Sequence, residues 1–228
     1  IVVHKSEVDL RAYDGWRFAI RTPGKAPTLI VSYVTKEISP GGYYRAVADC
    51  YMDIVFPREE GSGRKQERIP SWLREGIVDA FAASDADESE FGFNSCRSTQ
   101  GMAHFGSVAS GGESLTVKDL LDYDADQFSR IAGNARPLAW AFCYYLWNWP
   151  DKTESMKGKN RKVMDDLLTA FRKGTKRSEA YDAAFKDIDI EKVEKEIRGL
   201  ARQAAKGGIA AIGQELFLKQ IQKEGKWE

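Results

Sequence analysis

The hydrophobic period of this chain changes once, and that change limits the folds open to it. Residues 15–20 alternate apolar with small or polar side chains, and residues 28–34 form a β-branched run, both at strand spacing. Pro23-Gly24 between them supplies turn chemistry, so a hairpin is expected, and Ser39-Pro40-Gly41-Gly42 ends the β region. Beyond that point the apolar residues recur at i, i+3, i+4. In a helix over residues 43–56 the stripe is Tyr43, Val47, Cys50, Tyr51 and Ile54, and in a second over 70–83 it is Leu73, Ile77, Ala80 and Phe81. Pro57 stops the first helix, and Pro70 opens the second in a first turn that tolerates it.

Residues 84–114 carry Gly92, Gly101, Gly106, Gly111 and Gly112 among polar residues and read as a long irregular loop. Further helices are predicted over residues 116–122, 126–149, 161–173, 177–185 and 190–203, with a helical tail over 208–222. The fold class is therefore α+β and mainly α, in a single domain over residues 1–228. Its parts are a β-rich edge (1–40), two helices and a long loop (41–114), and a helical subdomain (115–228).

Composition excludes several classes of function. The 34 Lys+Arg balance the 34 Asp+Glu, so no global field draws the chain to nucleic acid or an anionic membrane surface. The longest apolar stretch, residues 138–149, is too short for the roughly 20 residues of a membrane span, so no membrane insertion is expected. Cys50, Cys96 and Cys143 form no Cys-x-x-Cys, which excludes a zinc ribbon and a thioredoxin-type redox site. The chain opens at Ile1 without a signal-peptide pattern and reads as a mature or trimmed chain.

With only His4 and His104 present, the metallopeptidase signature H-E-x-x-H is absent, as are G-x-G-x-x-G, the P-loop and G-x-S-x-G. The phrase Ile69-Pro70-Ser71-Trp72-Leu73-Arg74-Glu75-Gly76-Ile77-Val78-Asp79-Ala80-Phe81 nevertheless resembles the helix that follows H-E-x-x-H in bacterial gluzincin (thermolysin-like) zinc peptidases. Leu115 to Leu121, Pro137 to Phe142 and Phe185 follow in the order such domains show, so the resemblance spans residues 43–203. It implies a zincin-like architecture with a small N-terminal β element and a helical C-terminal half. It casts Glu75 as the former third zinc ligand and Asp79 as the residue that steadies a ligand histidine. In the preceding helix, Asp49 and Asp53 stand where the two histidines belong and Cys50 where the general-base Glu belongs. Bacterial relatives of this type are often secreted, which gives the expectation of an extracytoplasmic protein.

Those substitutions change the chemistry. A catalytic zinc site of this kind uses two His, one Glu and a water, whereas Asp49, Asp53 and Glu75 would place about three negative charges on one ion. Such a set suits a weakly held calcium or magnesium ion better than zinc. A cysteine, with a thiol pKa of about 8.5, is a poor proton shuttle beside a carboxylate. Zinc is accordingly not expected, no cofactor is assigned, and no residue is assigned as catalytic. The reading is a non-catalytic metallopeptidase homologue whose cleft takes a peptide or protein segment.

One alternative is an active metal-dependent hydrolase using Asp49, Asp53 and Glu75, or ligands this register misplaces. Another is a structural domain with a vestigial cleft, in which the four acidic residues form a solvated face opposite the apolar stripes. Without a metal the carboxylates need cations, and Arg45, one turn before Asp49, and Arg74, next to Glu75, are the nearest in sequence. Arg136 is read as a surface arginine or an oxyanion-supporting residue of the cleft. His104 is read as an exposed loop residue that at most lines the cleft. The aromatic cluster Trp140, Tyr144, Tyr145, Trp147 and Trp149 is read as core.

Overall fold

The computed structural model describes residues 2–4, 18–21, 28–32, 40–56, 69–86, 91–92, 96, 98–111, 115–148 and 162–206. Across these residues the protein is mainly helical. Three short strands, β1 (Val2–His4), β2 (Phe18–Arg21) and β3 (Thr28–Ser32), pair in the order β1-β3-β2. β1 runs parallel to β3, with Val3 opposite Val31, and β2 runs antiparallel to it, with Ala19 opposite Ile30. Helix α1 (Pro40–Val55) lies against β2 and β3 and packs along α2 (Ser71–Ala82). A two-residue pair, β4 (Asp85–Ala86) with β5 (Phe91–Gly92), follows α2.

The rest is helical: α3 (Thr99–Ser110), α4 (Val117–Asp122), α5 (Ala125–Arg130), α6 (Ala132–Asn148), α7 (Lys162–Arg172), α8 (Arg177–Ala184) and α9 (Ile190–Ala205). Local chemistry fixes where several of them begin. The Ser98 hydroxyl accepts from Gly101 N–H, Thr116 and Asp119 form a capping box, as do Asp124 and Gln127, and Asp189 caps α9. α7 ends at Gly174, whose φ of +77° suits a residue without Cβ.

The core is organised around α6. From Pro137 to Leu146 every side chain is buried, the all-round apolar pattern of a helix with neighbours on each side. α2, α3, α4, α5, α7 and α9 all pack on it, α2 most extensively. Gly76 makes that approach close: a Cβ there would lie 2.4 Å from Cys143 Sγ and 2.8 Å from the Ala139 carbonyl oxygen. Trp72 is 1% exposed, stacks near Phe142 and donates from Nε1 to the Tyr181 hydroxyl at 2.7 Å, tying α2 to α8. At the far end Arg198 of α9 donates to Leu115 O at 2.6 Å, while Glu194 accepts from Val117 N–H at 2.9 Å.

Three expectations are corrected. The glycine-containing stretch 84–114 is not one loop, because it holds α3, nucleated by the Ser98 cap. The segment expected as one helix over 126–149 is two, with Ile131 as the C-cap of the first and Pro137 inside the second. The buried face of α1 is also out of phase with the expected stripe. Tyr51 and Ile54 are 58% and 57% exposed, and Ala48, Met52 and Phe56 are buried. The loop over residues 58–68, Trp149 and the tail over 208–222 lie outside the described residues, as does the side chain of Cys50.

Candidate functional site

The phase of α1 decides the site. Arg45, Asp49 and Asp53 are spaced by one turn each and border the Ala48/Met52/Phe56 face that packs on α2. They therefore meet Arg74, Glu75 and Asp79 of α2 across the helix pair. α6 adds Arg136 from its second turn, and α3 adds Gln100 and His104.

The charges interlock in two groups. In the first, Arg45 donates through Nη1 to Asp79 Oδ1 and through Nη2 to Glu75 Oε2 at 2.6 Å. Arg136 holds the same aspartate side-on, with Nη2 to Oδ1 at 2.8 Å and Nε to Oδ2 at 3.2 Å, and its Nε is 3.5 Å from Glu75 Oε2. In the second, Arg74 Nη2 reaches Asp49 Oδ1 at 3.1 Å and Asp53 Oδ1 at 2.9 Å. The nearest-in-sequence pairing is thus exchanged: Arg45 of α1 serves the carboxylates of α2, and Arg74 of α2 serves those of α1.

Burial sorts the members. The Asp79 side chain is 0% exposed, which a charged carboxylate sustains only with strong partners, and it has two guanidiniums. The other three carboxylates keep about a quarter of their surface in water, and Arg136 a third. Burial raises the Asp49 carboxyl above its ordinary range, an effect Arg74 only partly offsets. Burial also works against the charge of Arg136, but the hydrogen bond and charge of Asp79 outweigh it and raise its pKa. The Cys143 thiol, sealed beneath Gly76, is pushed up by burial, with Asp79 adding to the effect. It is therefore held as a neutral thiol.

His104 is buried on α3, not exposed in a loop. Its ring lies 5.2 Å from that of Trp140, its Nε2 is 2.9 Å from Gln100 Nε2 and 3.6 Å from Asp79 Oδ2. Burial holds its pKa below the ordinary value, Asp79 opposes this, and Arg136 and Arg45 reinforce it. The imidazole is neutral at neutral pH.

The structure thus brings together Asp49, Asp53, Glu75, Asp79, Arg136 and His104, and the solvated-face expectation is corrected for Asp79. Sequence reading missed the side-on clamp of Arg136 on Asp79 and the burial of His104. The one signal that pointed to the latter was the S-x-x-G cap at Ser98. Among the described residues no group of three or more His, Cys, Asp or Glu side chains is arranged to hold a metal ion. Among the same residues no helix is long and apolar enough to cross a membrane. No protein-family model, curated protein or solved structure matches this chain.

Proposed function

We propose that the protein is a non-catalytic homologue of gluzincin-type metallopeptidases that keeps a cleft, framed by the sheet and its first two helices, for a peptide or protein segment. One observation carries the reading. The two residues cast as third zinc ligand and supporting aspartate, Glu75 and Asp79, are both spent on Arg45 and Arg136. The positive charge that a metal would bring to these carboxylates comes from guanidiniums of the chain itself. Asp49 and Asp53, at the former histidine positions, are likewise paired, with Arg74. In this reading β1–β3 beside α1 form the sheet edge of a zincin fold, and the partly exposed Arg136 and Glu75 face the segment that binds.

The active-hydrolase alternative finds no support in the donor set. Carboxylates suit hard cations, but Asp49 and Asp53 are turned to one arginine while Glu75 is turned to two others.

Reconstruction tests the proposal. The variant Asp49→His, Cys50→Glu, Asp53→His should take up zinc once Arg45→Ala frees Glu75, and less without that fourth change. The parent protein should contain no stoichiometric zinc by elemental analysis. Stoichiometric zinc in the parent, lost on Glu75→Ala, would falsify the reading. Peptide-array binding that Arg136→Ala abolishes supports the retained cleft, and an array without any binder favours a vestigial one.

A further inference from the structure

The arginine–carboxylate cluster contains one histidine, His104, and it sits 3.6 Å from the aspartate to which Arg45 ties the first helix. We infer that His104 is an acid-responsive release for the contact between α1 and Asp79, so that acidification loosens α1 from the α2–α6 pair.

With the Gln100 amide N–H donating to Nε2 at 2.9 Å, the imidazole carries its proton on Nδ1 and is neutral. A proton added at Nε2 makes that nitrogen a donor, so the Gln100 amide must turn to offer its oxygen. The nearest carboxylate oxygen is Asp79 Oδ2 at 3.6 Å, already held by Arg136 Nε at 3.2 Å. The charged groups that bear on His104 are Asp79 from α2, Arg136 from α6 and Arg45 from α1, with none from α9, which also packs on α3.

A protonated His104 would therefore be a third cation on one buried carboxylate. Arg136 holds Asp79 by two bonds, whereas Arg45 holds it by one and has Glu75 as a second partner. Arg45 is the group that can leave, and it is the one that ties α1 to Asp79. The sign follows from the lowered pKa: the folded state prefers the neutral ring. Its contribution to stability is complete above the unfolded value of 6.5 and is lost as pH falls through the folded value.

The measurement needs no ligand and uses the intact chain. Only two histidines are present, so ring NMR resolves both, and His104→Gln assigns them. The expected result is one ring titrating below 6.5. Hydrogen exchange of α1, corrected for intrinsic pH effects, should rise about tenfold for each pH unit over which the folded ring resists protonation. In His104→Gln that acid-side rise should vanish, leaving the pH dependence of opposite sign that the raised Asp49 carboxyl of α1 contributes. A His104 ring titrating at or above 6.5, or α1 exchange in the variant following the parent's pH course, overturns the inference. If the variant fails to fold, the parent's ring titration compared with its α1 exchange decides, since midpoints that do not coincide also overturn it.

Discussion

Replacing Gly76 by alanine tests the packing on which the site rests, because two physical effects predict opposite signs. In a helix interior alanine is favoured over glycine by about 1 kcal/mol. At Gly76, however, the new Cβ would fall 2.4 Å from Cys143 Sγ, 2.8 Å from Ala139 O and 3.2 Å from Ala139 C. The first contact is more than about 1 Å inside the optimal separation of ~3.5–4.0 Å between non-bonded atoms. Cys143 is fully buried and has no room to retreat, and the Ala139 atoms are α6 backbone.

The helices must separate, and overpacking of this kind costs about 1–3 kcal/mol, at the upper end when backbone has to move. Subtracting the propensity gain leaves a net loss of about 2 kcal/mol, or about 4–8 °C in midpoint for a chain of this size. Thermal melts followed by far-ultraviolet circular dichroism measure it. Gly199→Ala, where a Cβ meets nothing within 4 Å, is the control and should stabilise. Cys143→Ala combined with Gly76→Ala should recover part of the loss, since the Sγ contact goes while the Ala139 contact stays. A Gly76→Ala protein that melts at or above the parent temperature refutes the close approach of α2 and α6.

Asp79→Asn should destabilise by about 2–4 kcal/mol in urea titration, somewhat below the fully buried range because both guanidiniums keep part of their surface in water. Trp72→Ala should cost about 3–5 kcal/mol. Tyr181→Phe, which removes the hydroxyl that accepts from the Trp72 indole and from the Arg177 side chain, should cost about 1 kcal/mol, so a loss as large as that of Trp72→Ala would contradict the packing role given to Trp72. Asp49→Asn should cost less than Asp53→Asn at neutral pH, because burial already disfavours the Asp49 charge and Arg74 keeps Asp53. The reverse order, by the same titrations, counts against the pairing described.

Much of the helical body is readable from periodicity alone. α7, α8 and α9 begin and end within two residues of the expected bounds, because α7 and α9 in particular carry one apolar and one charged face. α3 was hidden by Gly101, Gly106 and Gly111, which weigh as breakers in a local reading. Gly106 needs no special conformation and meets nothing where a Cβ would be. The cap at Ser98 and the burial of Phe105 and Val108 outweigh its intrinsic cost. The phase of α1 was hidden for a different reason. A hydrophobicity ranking puts Tyr51 and Ile54 inside, but α2 has to come close enough for Arg74 to reach Asp49 and Asp53. The small Ala48 and the adaptable Met52 permit that approach.

For the site, spacing along one helix told which residues share a face but not which cation answers which carboxylate. An i, i+4 pair on a solvated helix is worth only a few tenths of a kcal/mol, so Arg45 gains little from Asp49 one turn away. Reaching across to Asp79 is worth more, because that carboxylate is wholly removed from water and its charge must be met by protein groups, here Arg45 together with Arg136. Desolvation of one residue thus sets the pattern for the rest. Asp79 takes Arg45 and Arg136, Glu75 is drawn in by the same two guanidiniums, and Arg74 is left for Asp49 and Asp53. Among the described residues these four carboxylates meet three guanidiniums, and on the Asp49–Asp53 side the Asp49 carboxyl is the one burial raises. That ordering depends on depth in the fold, a quantity no local window of sequence contains.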